Sequence, residues 1–450
     1  MKTNVYILSL GCPRNLVDSE VLAGIIKDNN YNLTDDITKA NVAILSTCVF
    51  IKEAKEESIS YIFDLVKLKK EKVIDKIIIT GCFTQRYPDE LKNEIPEIDA
   101  IIGFDYYPLI HKAIAKVAKG EKVYWLKDES TFLYDYSMPR IRTTPKHYAY
   151  LKISEGCNHA CSFCIIPTIK GPLRSRNIES LKKEAKSLIK SGVKEIILIG
   201  QDTTTYGMDI YKKPILDELL NELAKTTGLK WLRLLYTHPA LFNKKIIDSY
   251  LKNKNICRYV DLPLQHISDN ILKLMRRPMR QINIIKLIKR VRSQIEDVAL
   301  RTSFIVGFPH ETKKDFKELS DFISEIRFER LGLFKYSQEE GTSAYNLKKQ
   351  VDDKTKESRY SKLMLLQQDI SREINASFIG KVIKVIVDKR QEDDKNIFIG
   401  RSQYDAPEVD GCVFIDTKKS NKVKLSPGDI IEVEITDNYE YDLVGVPHEN

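Results

Sequence analysis

Glu155-Gly156-Cys157-Asn158-His159-Ala160-Cys161-Ser162-Phe163-Cys164 places three thiols within eight residues, in the spacing Cys-x3-Cys-x2-Cys, with no fourth cysteine nearby. Spacings this short let one loop wrap one metal centre, and thiolates select soft metals. A structural zinc site is closed by four ligands. Three cysteines on a four-iron cluster instead leave one iron free to take a substrate or cofactor. A zinc knuckle completed by His159 or by a distant ligand is the competing reading.

At 450 residues the chain has room for roughly three domains, each with its own core. Its eight cysteines are too sparse for a secreted disulfide scaffold and read as reduced thiols or metal ligands in a reducing compartment. Leu8-Ser9-Leu10-Gly11-Cys12, behind Lys2, imitates a lipoprotein cleavage box, but the apolar stretch Val5–Leu10 is too short for a signal peptide and reads as a first strand. No run approaches the ~20 apolar residues of a membrane span. A cytoplasmic protein with no membrane partner is expected.

In residues 1–139, short apolar runs recur at the cysteines: Val5–Ser9 leads to Cys12, Val42–Leu45 to Cys48, and Ile77–Thr80 to Cys82. A fourth run, Ala100–Gly103, has no cysteine. The segments between have helical periodicity, as in Asp18–Asp28 and Ala54–Lys70. Apolar strands alternating with helices predict a parallel sheet, whose ligands bind beyond the carboxyl ends of the strands. All three cysteines fall at that edge, where Gly11 and Gly81 allow close approach of the backbone. Three thiols distant in sequence then converge on one centre, read as a second cluster with one iron left open.

Residues 140–375 follow a proline-bearing linker, Ser137–Pro145. Strand-like runs at Tyr148–Ile153, Glu195–Ile199, Trp231–Leu235, Tyr259–Leu262, Leu300–Val306 and Arg330–Phe334 alternate with helical segments. Six such units predict a partial or full (β/α) barrel, with chemistry at the carboxyl ends of its strands. The cysteine loop follows the first strand. Gly200 and Gln201 end the second, where backbone and amide groups could hold the polar end of a cofactor. Gly307 ends the fifth, where the backbone could approach a ligand closely, and Arg301 could pair with a carboxylate. His266 could line the cavity or be a satisfied core histidine. Arg276-Arg277-Pro278-Met279-Arg280 reads first as a solvated helix end, and Cys257 as structural.

Residues 376–450 change to short alternating strands, Val382–Val387, Ile397–Ile399, Cys412–Ile415 and Ile430–Ile435, a pattern for a small antiparallel barrel. Small barrels of this kind often bind RNA, but residues 378–450 carry 10 Lys and Arg against 15 Asp and Glu, while the other 377 residues carry 62 against 48. An acidic barrel, with its charge concentrated in Asp405-Ala406-Pro407-Glu408-Val409-Asp410, favours a basic protein partner over phosphate.

The cysteine spacing resembles the radical S-adenosyl-L-methionine (SAM) superfamily, and the whole layout resembles the methylthiotransferase family, with a C-terminal TRAM barrel. Ser9-Leu10-Gly11-Cys12-Pro13-Arg14-Asn15-Leu16-Val17-Asp18-Ser19-Glu20, Gly81-Cys82-Phe83-Thr84-Gln85-Arg86-Tyr87, Ala149–Cys157 and Gly400–Glu408 are similar to the RimO branch of that family. Two positions depart from it: Ser46 stands where Asn is usual, and His310 where glycine is usual.

The resemblance implies two 4Fe-4S clusters, one on Cys157, Cys161 and Cys164 and one on Cys12, Cys48 and Cys82. It also implies SAM as cofactor, in part consumed to a deoxyadenosyl radical. The implied substrate is an aspartate β-carbon of the small-subunit ribosomal protein numbered twelve, possibly on the assembled subunit, and an acidic C-terminal barrel agrees with a basic ribosomal protein. An electron donor such as flavodoxin or ferredoxin and a sulfur donor are implied as well. An unactivated C–H bond offers no acidic proton, so ordinary acid–base catalysis does not serve. The alternatives are the sister MiaB branch, which acts on isopentenyladenosine in tRNA, a non-catalytic zinc-dependent RNA-binding protein, and an iron–sulfur electron carrier.

Overall fold

The computed structural model describes residues 3–418 and 424–448. Near the N-terminus, β1 (Asn4–Ser9), β2 (Asn32–Thr34), β3 (Val42–Thr47), β4 (Lys76–Gly81), β5 (Ala100–Ile102) and β6 (Val123–Trp125) form one parallel sheet in the order β2-β1-β3-β4-β5-β6. The central strands are the apolar runs of the sequence, and β3 is buried along its whole length. The edge strands β2 and β6 are three residues each and only partly buried, so no apolar run marks them.

The second unit holds β7 (Tyr148–Lys152), a two-residue ribbon of β8 (Ser154–Glu155) with β9 (Arg174–Ser175), then β10 (Glu195–Ile199), β11 (Trp231–Leu234), β12 (Tyr259–Asp261), β13 (Ala299–Val306) and β14 (Arg330–Lys335). Parallel ladders run β7-β10-β11 and β12-β13-β14, and a parallel bridge from Leu232 to Ile256 links the halves. Among the described residues no ladder joins β14 to β7, so the barrel is partial, with a seam between its first and last strands. The N-terminal unit straddles that seam. On one side Arg140 bonds Glu20 (2.6 Å), Glu184 (2.8 Å) and the Tyr150 carbonyl (2.9 Å). On the other, Arg86 bonds Glu339 (2.8 Å) and the Glu340 carbonyl (2.9 Å). The expected linker is therefore a packed strap: a Cβ on Gly24 would lie 2.3 Å from the Pro139 carbonyl oxygen.

The C-terminal unit is a closed barrel of β15 (Val382–Arg390), β16 (Ile397–Ser402), β17 (Val413–Asp416), β18 (Ile430–Asn438) and β19 (Leu443–Pro447), in the order β15-β16-β17-β19-β18. The sequence marked four strands. The fifth, β19, closes the barrel by pairing parallel to β17, so the sheet is not wholly antiparallel.

Asp405 and Asp410 of this barrel's acidic loop face inward onto arginines, where the charge count pointed to a surface facing a partner. With the end of β16 before it, residues 401–410 together, the loop plugs the amino-terminal end of the (β/α) barrel, and every barrel strand reaches that segment. Tyr148 donates to Glu408 (3.1 Å), Glu195 accepts from Arg401 (2.8 Å), and Arg233 donates to the Gln403 carbonyl (2.8 Å). Tyr259 donates to Asp410 (2.6 Å), Arg301 lies 3.7 Å from Asp410, and Arg330 pairs with Asp405. Buried arginines need carboxylates, which is why the loop is acidic. Against the upward push of burial, Arg401 and Arg233 hold the Glu195 carboxyl below its usual range. Replacing one member of such a network leaves an uncompensated buried charge. Arg401→Met is expected to cost roughly 3 kcal/mol of stability, read by urea unfolding, and to speed proteolysis near residue 377.

Candidate functional site

Cys12, Cys48 and Cys82 each follow the carboxyl end of a strand, β1, β3 and β4, and those strands are neighbours. The thiols are therefore side by side. Gly11 has φ +86°, and a Cβ there would lie 2.6 Å from Cys48 Cβ and 2.8 Å from its Sγ, so glycine leaves the room that Cys48 fills. Asn15 ties the strand ends by donating to the Leu10 carbonyl (2.7 Å), and it accepts from Ser46 Oγ (3.1 Å), so the unusual Ser46 has a defined partner. Burial pushes the Cys82 thiol up to about 12, with Lys170 opposing and Cys48 and Cys12 adding. At Cys12 burial pushes the other way from Arg14, whose Nε donates to Sγ at 3.4 Å, and the thiol ends below its ordinary value.

The barrel thiols lie in the loop spanned by the β8–β9 ribbon. Gly156 turns it at φ +73°, where a Cβ would meet the Pro172 carbonyl oxygen at 2.0 Å. Ser162 locks the loop from both sides: its amide and hydroxyl donate to the carbonyls of Met275 (3.1 Å) and Leu274 (2.7 Å), and its carbonyl accepts from Ala344 (2.7 Å). Arg277 donates to Cys161 Sγ at 3.5 Å and to the Pro263 carbonyl at 2.9 Å. His159 is turned to Asp202, 2.5 Å away, and stacks on His238 with ring centres 4.2 Å apart. His159 is thus engaged away from the thiols. Burial pushes Cys157 up to about 11 and Cys164 to about 12. All eight cysteines are free.

Two arrangements join the triads. Arg14, besides its bond to Cys12, donates to the Gly200 carbonyl (3.0 Å) and lies over the Tyr236 ring at 4.6 Å. Beside it, Lys152 bonds Asp18 and Glu155 (2.6 Å), while Lys170 lies 3.2 Å from Asp18 and 3.7 Å from Glu155. Although burial opposes it, Lys152 and Lys170 hold the Glu155 carboxyl well below its usual range.

Gly200 and Gln201 sit between the triads. The Gln201 amide donates to Glu155, and its Oε1 is buried without a partner. Gly307 has φ +73°, but the space a Cβ would take is filled by Lys356 Cγ at 2.3 Å, so a packed lysine accounts for this glycine. His310 holds φ +69°, a conformation that explains why glycine is usual there. Arg301 pairs with Asp261 (3.0 Å) deeper in the barrel and is not brought to the thiols. His266 is a core residue whose Nδ1 accepts from Ser268 (3.0 Å).

Residues 4–103 match the model of the uncharacterised protein family UPF0004, residues 151–323 the radical SAM superfamily, and residues 379–447 the TRAM domain. The ribosomal protein uS12 methylthiotransferase RimO of Caldanaerobacter subterraneus subsp. tengcongensis is 47% identical over 443 residues, 98% of this chain and 99% of that one. Its counterpart from Desulforamulus reducens is 44% identical over 98% of this chain and 99% of its own. The chain belongs to the RimO family. Among solved structures, the radical S-adenosylmethionine methyltransferase TsrM from Kitasatospora setae, with cobalamin and a 4Fe-4S cluster bound, shares the fold. It aligns with a TM-score of 0.53 at 14% identity over 74% of this chain and 75% of that one.

In this RimO-family chain the motif around Cys12 carries Arg14, Asp18 and Glu20, three side chains that tie the triad to the barrel and its strap, and Asn15, which ties the strand ends within the sheet. Sequence reading gave them no role. Nor did it separate Arg277 from its solvated neighbours.

Gly11→Ala forces Cys48 aside and is expected to cost about 1–3 kcal/mol and to loosen metal bound at that triad, read by unfolding and iron analysis. Gly120→Ala, at φ +87° with nothing within 4 Å, carries the backbone strain alone and keeps its iron. Burial presses His266 from 6.5 down to about 3, with Asp315 opposing and Arg359 adding. It is neutral in the fold and takes up a proton on unfolding, so its contribution to stability falls as pH drops from 6.5 toward 3. His266→Gln is expected to flatten the stability profile in that window.

Proposed function

We propose that the chain is a cytoplasmic radical SAM enzyme that methylthiolates the β-carbon of an aspartate in ribosomal protein uS12. The observation that carries this reading is the pair of three-thiol sites held at facing strand ends by one arginine and one buried charge cluster. We further propose the division 1–139, 140–375 and 376–450 for the thiol-bearing sheet, the radical SAM unit and the TRAM barrel. Eight free cysteines suit a reducing compartment, and among the described residues no helix is long and apolar enough to cross a membrane.

The donor sets fit iron–sulfur chemistry. Each triad offers three free thiols, and each iron of a cluster takes its own thiolate. Cys157, Cys161 and Cys164 would hold one 4Fe-4S cluster and Cys12, Cys48 and Cys82 another, supplying respectively the electron that splits SAM and the sulfur to be donated. Arg277 and Arg14 each set a guanidinium N–H on one thiol of a triad, and at Cys12 the cation outweighs burial and favours the thiolate. Gln201, with its unpartnered Oε1, and Gly200 would orient the cofactor's polar end. Lys152 and Lys170 neutralise Asp18 and Glu155, so the wall between the sites is buried and excludes water. An electron donor such as flavodoxin or ferredoxin and a sulfur donor complete the requirements.

With anaerobically reconstituted protein, SAM, sulfide and reductant, Cys161→Ala is expected to abolish deoxyadenosine formation. Cys48→Ala should keep it and lose methylthiolation. Mass spectrometry should place one methylthio group on a uS12 aspartate and none on isopentenylated tRNA offered in parallel. Thiolated product from Cys48→Ala would remove the two-cluster assignment, and modification of the tRNA alone would move the enzyme to the sister branch.

A further inference from the structure

Between Asn270 and Gln294 the chain carries eight basic residues and no acidic one. Two have internal work: Arg277 at Cys161, and Arg292, which pairs with Glu329 at 3.0 Å. The other six, Lys273, Arg276, Arg280, Lys286, Lys289 and Arg290, are exposed and form no ion pair among the described residues. Some surface lysines elsewhere find carboxylates, as Lys317 does with Asp321 at 2.6 Å and Lys116 with Glu121 at 2.7 Å, and others such as Lys186 and Lys244 do not; what sets this stretch apart is the run of one sign.

The helix Gln281–Gln294 buries Ile284, Leu287, Ile288 and Val291 against the barrel, so its outward charge is of one sign over about 21 Å. The stripe starts at the site itself: the helix Asp269–Leu274 follows β12, and the carbonyls of Leu274 and Met275 hold Ser162 in the cysteine loop. Unpaired like charges repel one another, and among the described residues no ion pair relieves these six.

The target protein is itself basic, so this rim repels it. Resting on the function proposed above, we infer that the stripe binds the phosphate backbone of small-subunit RNA, and that the enzyme acts on its aspartate within a ribonucleoprotein. A long single-sign face suits a polyanion rather than a small anion. The phosphates beside the target loop hold the subunit against the mouth while the loop enters.

The test uses reconstituted holoenzyme with two substrates, free uS12 and small subunits purified from cells lacking the enzyme. The variant carries Lys273→Gln, Arg276→Gln, Lys286→Gln and Lys289→Gln, all exposed and without ion-pair partners. Wild-type activity on subunits should fall steeply with added salt, and the variant should lose roughly tenfold or more in kcat/KM on subunits, with free uS12 modified as by wild type. Equal activity of the two proteins on subunits, equal loss on both substrates, or subunits left unmodified while free uS12 reacts would each overturn the inference. Wild type that modifies neither substrate would instead overturn the function on which it rests.

Discussion

Four buried charges, Asp18, Lys152, Glu155 and Lys170, are the point on which the arrangement of the two thiol sites depends. Each would be costly alone in the interior, and together they are tolerated because every charge touches one of opposite sign. They come from three parts of the chain: the helix after Cys12, strand β7 with the residue two before Cys157, and the short helix after Cys164. The cluster cannot form unless the N-terminal sheet and the barrel meet in one register. Its stabilising value is small by the usual accounting for buried ion pairs; its effect is to exclude other dockings.

Arg14 converts that register into chemistry. Its guanidinium touches Cys12 on one side and the carbonyl of Gly200, after β10, on the other, so one cation fixes the first triad against the barrel. The seam left by the partial barrel makes this possible. A closed barrel would have no open edge for the N-terminal unit to straddle, and the Glu20–Arg140 and Arg86–Glu339 contacts would have nowhere to form.

The central strands and the cysteines at their ends were legible in the sequence because each rests on local pattern: an apolar run, a glycine, a cysteine at fixed spacing; the short edge strands β2 and β6 and the closing strand β19 were not. What joins the two triads was not legible either. Arg14 reaches a carbonyl 186 residues away, and Lys152 an aspartate 134 residues away, and no local pattern encodes such partners. Gly307 was legible as a glycine that must be one, but the group filling its space is a lysine of the helix Asp353–Ala376. The acidic loop shows the same limit. Its composition was read correctly, yet charge counted along a chain does not say which side faces solvent, and here Asp405 and Asp410 face arginines.

The inward-facing loop also bears on how such a protein is inherited. A small barrel attached by a helix looks exchangeable, a module to be swapped among enzymes that share the central unit. Here all six strands of the neighbouring barrel end on one segment, residues 401–410, and Arg233, Arg301 and Arg330 take acceptors from it. A foreign barrel without those acceptors would leave cations stranded in the floor of its host. The two units are therefore bound to change together, and exchange between lineages is constrained to pairs that already match.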